Sequence, residues 1–243
     1  MSKTVFAAAL ALCLPALGLA QTVDELVARN VAARGGAEAW RAVSSLRLSG
    51  RMDVGQGMLV PYVLEQKRPG KMRLEFVFDG ETAVQGSDGK AGWKLTPFRG
   101  RTTPEPLSEE EMREAAGSAD LDGLLFDYAA KGSRVELLGR ETVQERDAFK
   151  LRVELSGGAV RWVYLDAESA LEVKVDATKV VGTRERKVET FYYDWQEVEG
   201  LLVPYRYETR TEGAPAQHLL TVETVRVNPP LDDSRFEKLL ADR

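Results

Sequence analysis

From Leu46 onward the apolar residues of this chain return at every second position, and the segments that carry them are separated by turn dipeptides. Leu46, Leu48, Gly50, Met52 and Val54 alternate with Arg47, Ser49, Arg51 and Asp53. Side chains of a strand point alternately to its two faces, so this stretch reads as a strand with one buried and one wet face. Strands joined by short turns run antiparallel, and a sheet built from them must cover its apolar face or close upon it.

The pattern repeats down the chain. Gly55-Gln56-Gly57 turns into a second strand over 58–67, and Arg68-Pro69-Gly70 turns again. Met72, Leu74, Phe76 and Phe78 share one face of the third strand, by parity. Asp79-Gly80 and Asp88-Gly89 are hairpin signals, flanking strands near 81–86 and 91–97. Further strands are predicted at 135–139, 148–156, 160–166, 171–180, 186–196, 201–209 and 217–227, with Gly157-Gly158 and Glu199-Gly200 at tight turns. Asn228-Pro229-Pro230 ends the last of them. No repeat of propeller or solenoid length is present. The fold class that follows is mainly β with a helical lid (α+β), a single strongly curved antiparallel sheet or unclosed barrel of about 11–12 strands.

Helical signals occur in three places. Residues 22–34 open with a capping box, Thr22 and Glu25, and carry Val23, Leu26, Val27 and Val31 near helical period until Gly35-Gly36. A short second turn over 37–43 carries Trp40. An insertion at about 107–131 interrupts the strands. It follows a loop, Thr102-Thr103-Pro104-Glu105-Pro106, and starts a short helix with a second capping box, Ser108 and Glu111. A second helix is predicted over 119–130, with Leu121, Leu124, Leu125 and Tyr128 on one stripe and Gly132 as its cap. Residues 232–240 read as a helical tail.

The first twenty residues have the form of a secretory leader. Lys3 supplies the charge, 5–14 the apolar run, and Leu17-Gly18-Leu19-Ala20 the small-residue end of a cut after Ala20. A lipidated Cys13 would want a small residue before it, where Leu12 stands. Residues 1–20 are therefore expected to be a cleaved signal peptide, and 21–243 one exported domain of a bacterial periplasm. No transmembrane segment is expected in the mature chain, since no later stretch reaches the ~18 apolar residues of a membrane span.

Composition narrows the chemistry. Lys+Arg 33 against Asp+Glu 38 leaves a net charge of −5, which makes nucleic acid an unsuitable partner. One His, His218, and one Cys, Cys13, exclude His-rich metal sites, zinc ribbons, Cys–His nucleophile pairs and a disulfide framework. No motif for a catalytic serine, a phosphate loop or a dinucleotide is present. No catalytic residue, metal or cofactor is therefore expected. Asp232-Asp233 and Asp120/Asp122 fall at helix starts, where capping explains them, and Glu109-Glu110-Glu111 reads as a solvated helix N-terminus. The aromatic residues are more suggestive. Phe76, Phe78, Trp93, Phe98, Trp162, Tyr164, Phe191, Tyr193 and Trp195 fall in strands or at their ends. They either pack a core or wall an interior that a curved sheet with few helices leaves unfilled.

An ordered set of short motifs adds to this. The leader and first helix are followed by Gly35-Gly36-Ala37, Trp40, Ser45-Leu46-Arg47-Leu48-Ser49-Gly50, Lys67-Arg68-Pro69-Gly70-Lys71-Met72-Arg73 and Asp88-Gly89-Lys90-Ala91-Gly92-Trp93. Pro97-Phe98, Asp127-Tyr128-Ala129-Ala130-Lys131-Gly132, Tyr164-Leu165-Asp166-Ala167, Tyr192-Tyr193-Asp194-Trp195 and Gly200-Leu201-Leu202-Val203-Pro204 continue it. In this order the chain resembles a divergent branch of the LolA/LolB-like superfamily of bacterial outer-membrane lipoprotein-sorting proteins. The resemblance implies an unclosed barrel whose helical lid covers an apolar cavity that receives acyl chains.

On that reading the cavity and lid are expected to comprise Phe76, Phe78, Trp93, Phe98, Leu121, Leu124, Leu125, Tyr128, Trp162 and Trp195, with Trp93 placed by the resemblance alone. The expected function is a non-enzymatic periplasmic carrier of lipid or lipoprotein acyl chains, serving a transport partner at the inner or outer membrane. The alternative is a structural or interaction subunit of a cell-envelope complex, with the same fold and a filled core. A hydrolase ranks last, for want of a nucleophile and base.

Overall fold

Both capping boxes form. In the computed structural model, which describes residues 21–181, 184–214 and 217–239, the Thr22 hydroxyl accepts from the Glu25 amide at 3.2 Å while Glu25 accepts from the Thr22 amide at 2.8 Å. They start α1, Val23–Ala33, which buries Leu26, Val27 and Asn30. A second short helix, α2, Ala37–Ala42, buries Trp40. Ser108 and Glu111 make the same reciprocal pair at the start of α3, Glu109–Ala119. The expected leader, Cys13 included, lies outside the described residues.

The strands follow the alternation. They are β1 (Ser45–Asp53), β2 (Leu59–Lys67), β3 (Lys71–Phe78), β4 (Glu81–Ser87), β5 (Gly92–Thr96), β6 (Arg101–Pro106), β7 (Arg134–Val143), β8 (Arg146–Glu154), β9 (Val160–Asp166), β10 (Glu172–Val181), β11 (Arg184–Val198), β12 (Leu201–Thr211) and β13 (His218–Val227). All pair antiparallel in one sheet, ordered β6-β5-β4-β3-β2-β1-β13-β12-β11-β10-β9-β8-β7. The chain therefore meanders out from the middle to one edge, crosses the concave face through the insertion, and meanders back from the other edge until β13 joins β1. The edge strands β6 and β7 are not neighbours, so the barrel stays open.

Three elements differ from the sequence reading. The stretch taken as a loop before the insertion is the edge strand β6, which brings the strands of the sheet to thirteen. Its Pro104 and Pro106 are tolerated because it is an edge strand, where a missing N–H costs little pairing. The helix expected over 119–130 does not form: α3 ends at Ala119 and the chain continues through turns to Ser133. Gly123 at φ 83 and Asp127 at φ 46 interrupt any helical run. A side chain at 123 would also press on Arg34, whose Nη1 lies 3.0 Å from the ideal Cβ position. The tail is likewise a single 3-10 turn, Asp233–Phe236, started by the Asp232 side chain accepting from the Ser234 amide at 2.9 Å. Burial of Phe236 and the Arg235–Glu65 ion pair at 2.7 Å draw this segment onto the outer face of the sheet instead of letting it wind further.

Two main clusters form the core. One gathers Trp40, Leu46, Leu48, Leu201 and Val203 with Leu121 and Phe126; the other gathers Leu26, Val27, Phe149, Leu151 and Leu165 with Leu125. The insertion thus supplies side chains to both halves of the interior. Burying groups of this size contributes about 1.5–3 kcal/mol each.

Candidate functional site: a cavity on the concave face

Register decides which side chains look inward. Leu48 opposes Leu64, Val163 opposes Val175, Val175 opposes Thr190, Tyr192 opposes Tyr207 and Tyr207 opposes Leu220. Paired residues share a face, and these belong to the concave one. Across from them runs the wall formed by the end of α3 and the following turns. Between sheet and wall lies a cavity of about 510 Å³, lined on the sheet side by Leu46, Leu48, Tyr62, Leu64, Val163, Val175, Tyr192, Val203, Tyr207 and Leu220. Gly117, Ser118, Asp120, Leu121, Gly123, Leu124 and Leu125 line it from the wall. That volume falls within the range of about 300–1,000 Å³ usual for small-molecule sites. Trp195 stacks on Tyr192 at 6.4 Å between centroids, and Tyr192 meets Tyr207 edge-on at 5.4 Å.

Ionic contacts hold the wall down. Buried Asp122 accepts from both terminal nitrogens of Arg68, Nη1 at 2.9 Å. Lys131 ties Asp120 at 2.7 Å and the Gly123 carbonyl at 2.8 Å. Arg34, which caps α1, donates from Nη1 to the Asp122 carbonyl at 2.7 Å and stacks over Trp40 at 4.7 Å.

Polar groups interrupt the apolar lining: Gln66, Ser118, Asp120, Arg161, Thr190 and Thr209, and a buried Arg34–Glu172 pair. Arg34 Nη1 lies 3.5 Å from Glu172 Oε1, and both side chains are close to nine-tenths buried, at 11% and 10% exposure. Arg34 Nε, Glu172 Oε2 and the Tyr62 hydroxyl are buried with no hydrogen-bond partner among the described residues. Leaving such an atom unpaired costs about 1–3 kcal/mol. Burial also pushes the hydroxyls of Tyr62, Tyr192 and Tyr207 well above the usual phenol range. Among the described residues, no group of three or more His, Cys, Asp or Glu is arranged to hold a metal ion.

The structure sorts the ten expected site residues. Leu121, Leu124, Leu125 and Trp195 line the cavity. Phe76 is on the concave face, opposite Tyr62, and Phe78 shares its parity. Both pack instead with Phe98 near the β6 edge, at 6.0 and 5.0 Å between centroids, and none of the three is in the cavity wall. Tyr128 turns to α1, where its hydroxyl donates to Asp24 at 2.8 Å. Trp93 and Trp162 are corrected to the outer face. Trp93 opposes Gly86, which opposes Arg73; its ring lies over the bare Gly86 Cα, and its Nε1 donates to the Phe236 carbonyl at 3.3 Å. Trp162 opposes Asp176, while its neighbour Val163 takes the inward position. Tyr62, Tyr192, Tyr207, Arg34 and Glu172 were not anticipated as site residues. Parity with Leu64 and Val203 was the available signal for Tyr62 and Tyr207. No local signal marks the meeting of Arg34 with Glu172, which are 138 residues apart.

No helix of the described residues is long and apolar enough to cross a membrane. No protein-family model matches the chain, and comparison with curated proteins finds no match. Solved structures do match. A LolA superfamily protein from Nitrosomonas europaea superposes with a TM-score of 0.62 at 15% identity, over 90% of this chain and 99% of that one. A DUF1329 family protein from Desulfovibrio piger gives 0.60 at 13% identity, over 88% and 97%. A domain described as an outer membrane lipoprotein-sorting protein domain, from Vibrio parahaemolyticus, gives 0.58 at 14% identity, over 88% and 97%. The fold of this chain is therefore the one seen in LolA superfamily structures, an unclosed β-barrel with a partly helical cover over its concave face.

Proposed function

We propose that this protein binds the acyl chain of a lipid or lipoprotein in the concave cavity and carries it, without chemistry, across the periplasm. The observation that supports this is the cavity of about 510 Å³ walled mainly by aliphatic and aromatic side chains. An acyl chain gains about 0.8 kcal/mol for each CH₂ that leaves water, so a dozen carbons outweigh the cost of ordering the chain. The likeness to LolA superfamily and lipoprotein-sorting folds agrees with it. A leader at 1–20 would deliver the chain to the periplasm, and the ligand would pass to or from a partner at the inner or outer membrane. Binding is favoured over catalysis because the polar groups of the lining are an Arg–Glu pair, tyrosines, Gln66, Ser118, Asp120, Arg161 and two threonines, while His218, the one histidine of the sequence, is exposed on β13.

Leu220→Trp tests this reading against a filled-core envelope subunit. Leu220 is half-buried and faces the cavity. If the space exists to be occupied, the indole fills it: wild type binds N-phenyl-1-naphthylamine with enhanced fluorescence, the variant does not, and stability is nearly unchanged. If the core is already filled, wild type binds no probe and the variant loses about 1–3 kcal/mol from overpacking.

A further inference from the structure

We propose that the cavity's ligand bears a neutral head group that both donates and accepts hydrogen bonds, a glyceride hydroxyl or an amide, and that this head seats among Tyr192, Tyr207 and Tyr62 beside Arg34 and Glu172. The proposal rests on the acyl-chain reading and makes it more specific. A pocket for bare hydrocarbon needs no hydroxyls, and phenylalanine would wall it without leaving polar atoms unpaired. Here three tyrosines face the same space, and the Tyr62 hydroxyl is buried with no hydrogen-bond partner among the described residues. Tyr192 and Tyr207 are directly opposed across β11 and β12. Tyr62 opposes Gly50 on β1, which places no side chain beside its ring.

The charged pair beside the tyrosines sets the sign of the head; of the other charged groups in the lining, Asp120 is paired with Lys131 at 2.7 Å and Arg161 stands two residues along β9 from Val163. Arg34 and Glu172 cancel each other, yet each keeps a buried atom with no hydrogen-bond partner among the described residues, a donor at Nε and an acceptor at Oε2. A carboxylate or phosphate would be brought against Glu172, and an ammonium against Arg34, in surroundings that screen charge poorly. A neutral hydroxyl or amide meets both without repulsion. The tyrosines, held protonated by burial, remain donors throughout the physiological range.

The experiment is competition against N-phenyl-1-naphthylamine at pH 8, using monolaurin, laurate and n-dodecane delivered from cyclodextrin, so that only the head varies. Monolaurin should displace the probe from wild type at about tenfold lower concentration than laurate or dodecane. The Tyr192→Phe/Tyr207→Phe double variant should lose that advantage, so that monolaurin competes no better than dodecane. Glu172→Gln leaves Arg34 without its counter-charge and should reverse the order in favour of laurate, a change that a merely structural role for Glu172 would not produce. Equal competition by the three ligands in wild type, or an unaltered order in Glu172→Gln, overturns the proposal while leaving the acyl-chain reading intact. A wild type that takes up no probe overturns both.

Discussion

Helix α3 and residues 120–133 are two parts of one insertion, and they hold to the sheet by different means. α3 has the stronger local signals, a capping box and an acidic first turn, but it buries only Ala115 and Ala119, against Met72. Its outer anchors are side-chain ion pairs, Glu111 with Lys94 and Glu114 with Lys179, of the partly exposed kind that contributes little. The stretch that follows has no regular structure, yet buries Leu121, Leu125 and Phe126 at 6%, 1% and 4% exposure and Asp122 at 3%. Local helix propensity and tertiary anchoring are thus separate quantities here. The cover over the cavity has a lightly fixed part and a wedged part, and α3 is the part expected to give way when a ligand enters.

The largest expected effect breaks the wedge. Leu125→Ala should lower unfolding free energy by about 2–5 kcal/mol in denaturant titration, as for other buried leucines. Ser108→Ala removes the α3 cap and should cost that helix about 1 kcal/mol locally. Hydrogen exchange should then quicken over 109–119 while the global midpoint barely moves. Equal shifts of the midpoint by both variants would erase the distinction between the two parts.

A comparison inside the cavity sharpens the picture through pH. The phenols of Tyr192 and Tyr207 have folded values raised above their ordinary 10.0, by burial first. The stability they contribute is complete below pH 10 and is lost as pH rises toward their folded values. Tyrosinate absorbance from these two residues should therefore appear together with unfolding. Two titrating phenols in a folded protein just above pH 10 would show an open, wet site.

The smallest effect concerns the turn on the outer face. Lys67 first, and Lys71 next, hold Asp233 down to about 2 from 3.8. A depressed carboxylate contributes stability above its unfolded value and loses it as pH falls, here between about 4 and 2. Asp233→Asn should remove that part of the acid sensitivity of Trp93 fluorescence, since Trp93 is bonded to the same turn. The group is fully exposed, so the global acid midpoint should hardly change.

The strands were legible because alternation and turn residues are local, and each sets its own segment. Four inward residues in a row, Met72 to Phe78, were enough to give the parity of β3. A lone aromatic in a short strand gives no such reference, and for that reason Trp93 and Trp162 were assigned to the wrong face. The stripe Leu121, Leu124, Leu125 and Tyr128 does match a helix, and three of its members do reach the cavity. Their backbone is set instead by Arg34, Arg68 and Lys131, and the first two of these come from segments before the insertion. β6 was obscured by prolines that an edge position tolerates. The polar cluster had no local trace, because its members come from the end of α1 and from β2, β10, β11 and β12.

The central claim is that the concave cavity holds an acyl chain, and photolabelling reads the chain's position directly. A lauroyl glyceride with a diazirine next to its ester carbonyl, irradiated with the protein and mapped by peptide mass spectrometry, should label the 117–125 wall and the strands bearing Tyr192 and Tyr207. Excess monolaurin should suppress that labelling. Labels confined to the outer face around Trp93 and Trp162, or labels that monolaurin leaves undiminished, would contradict the account.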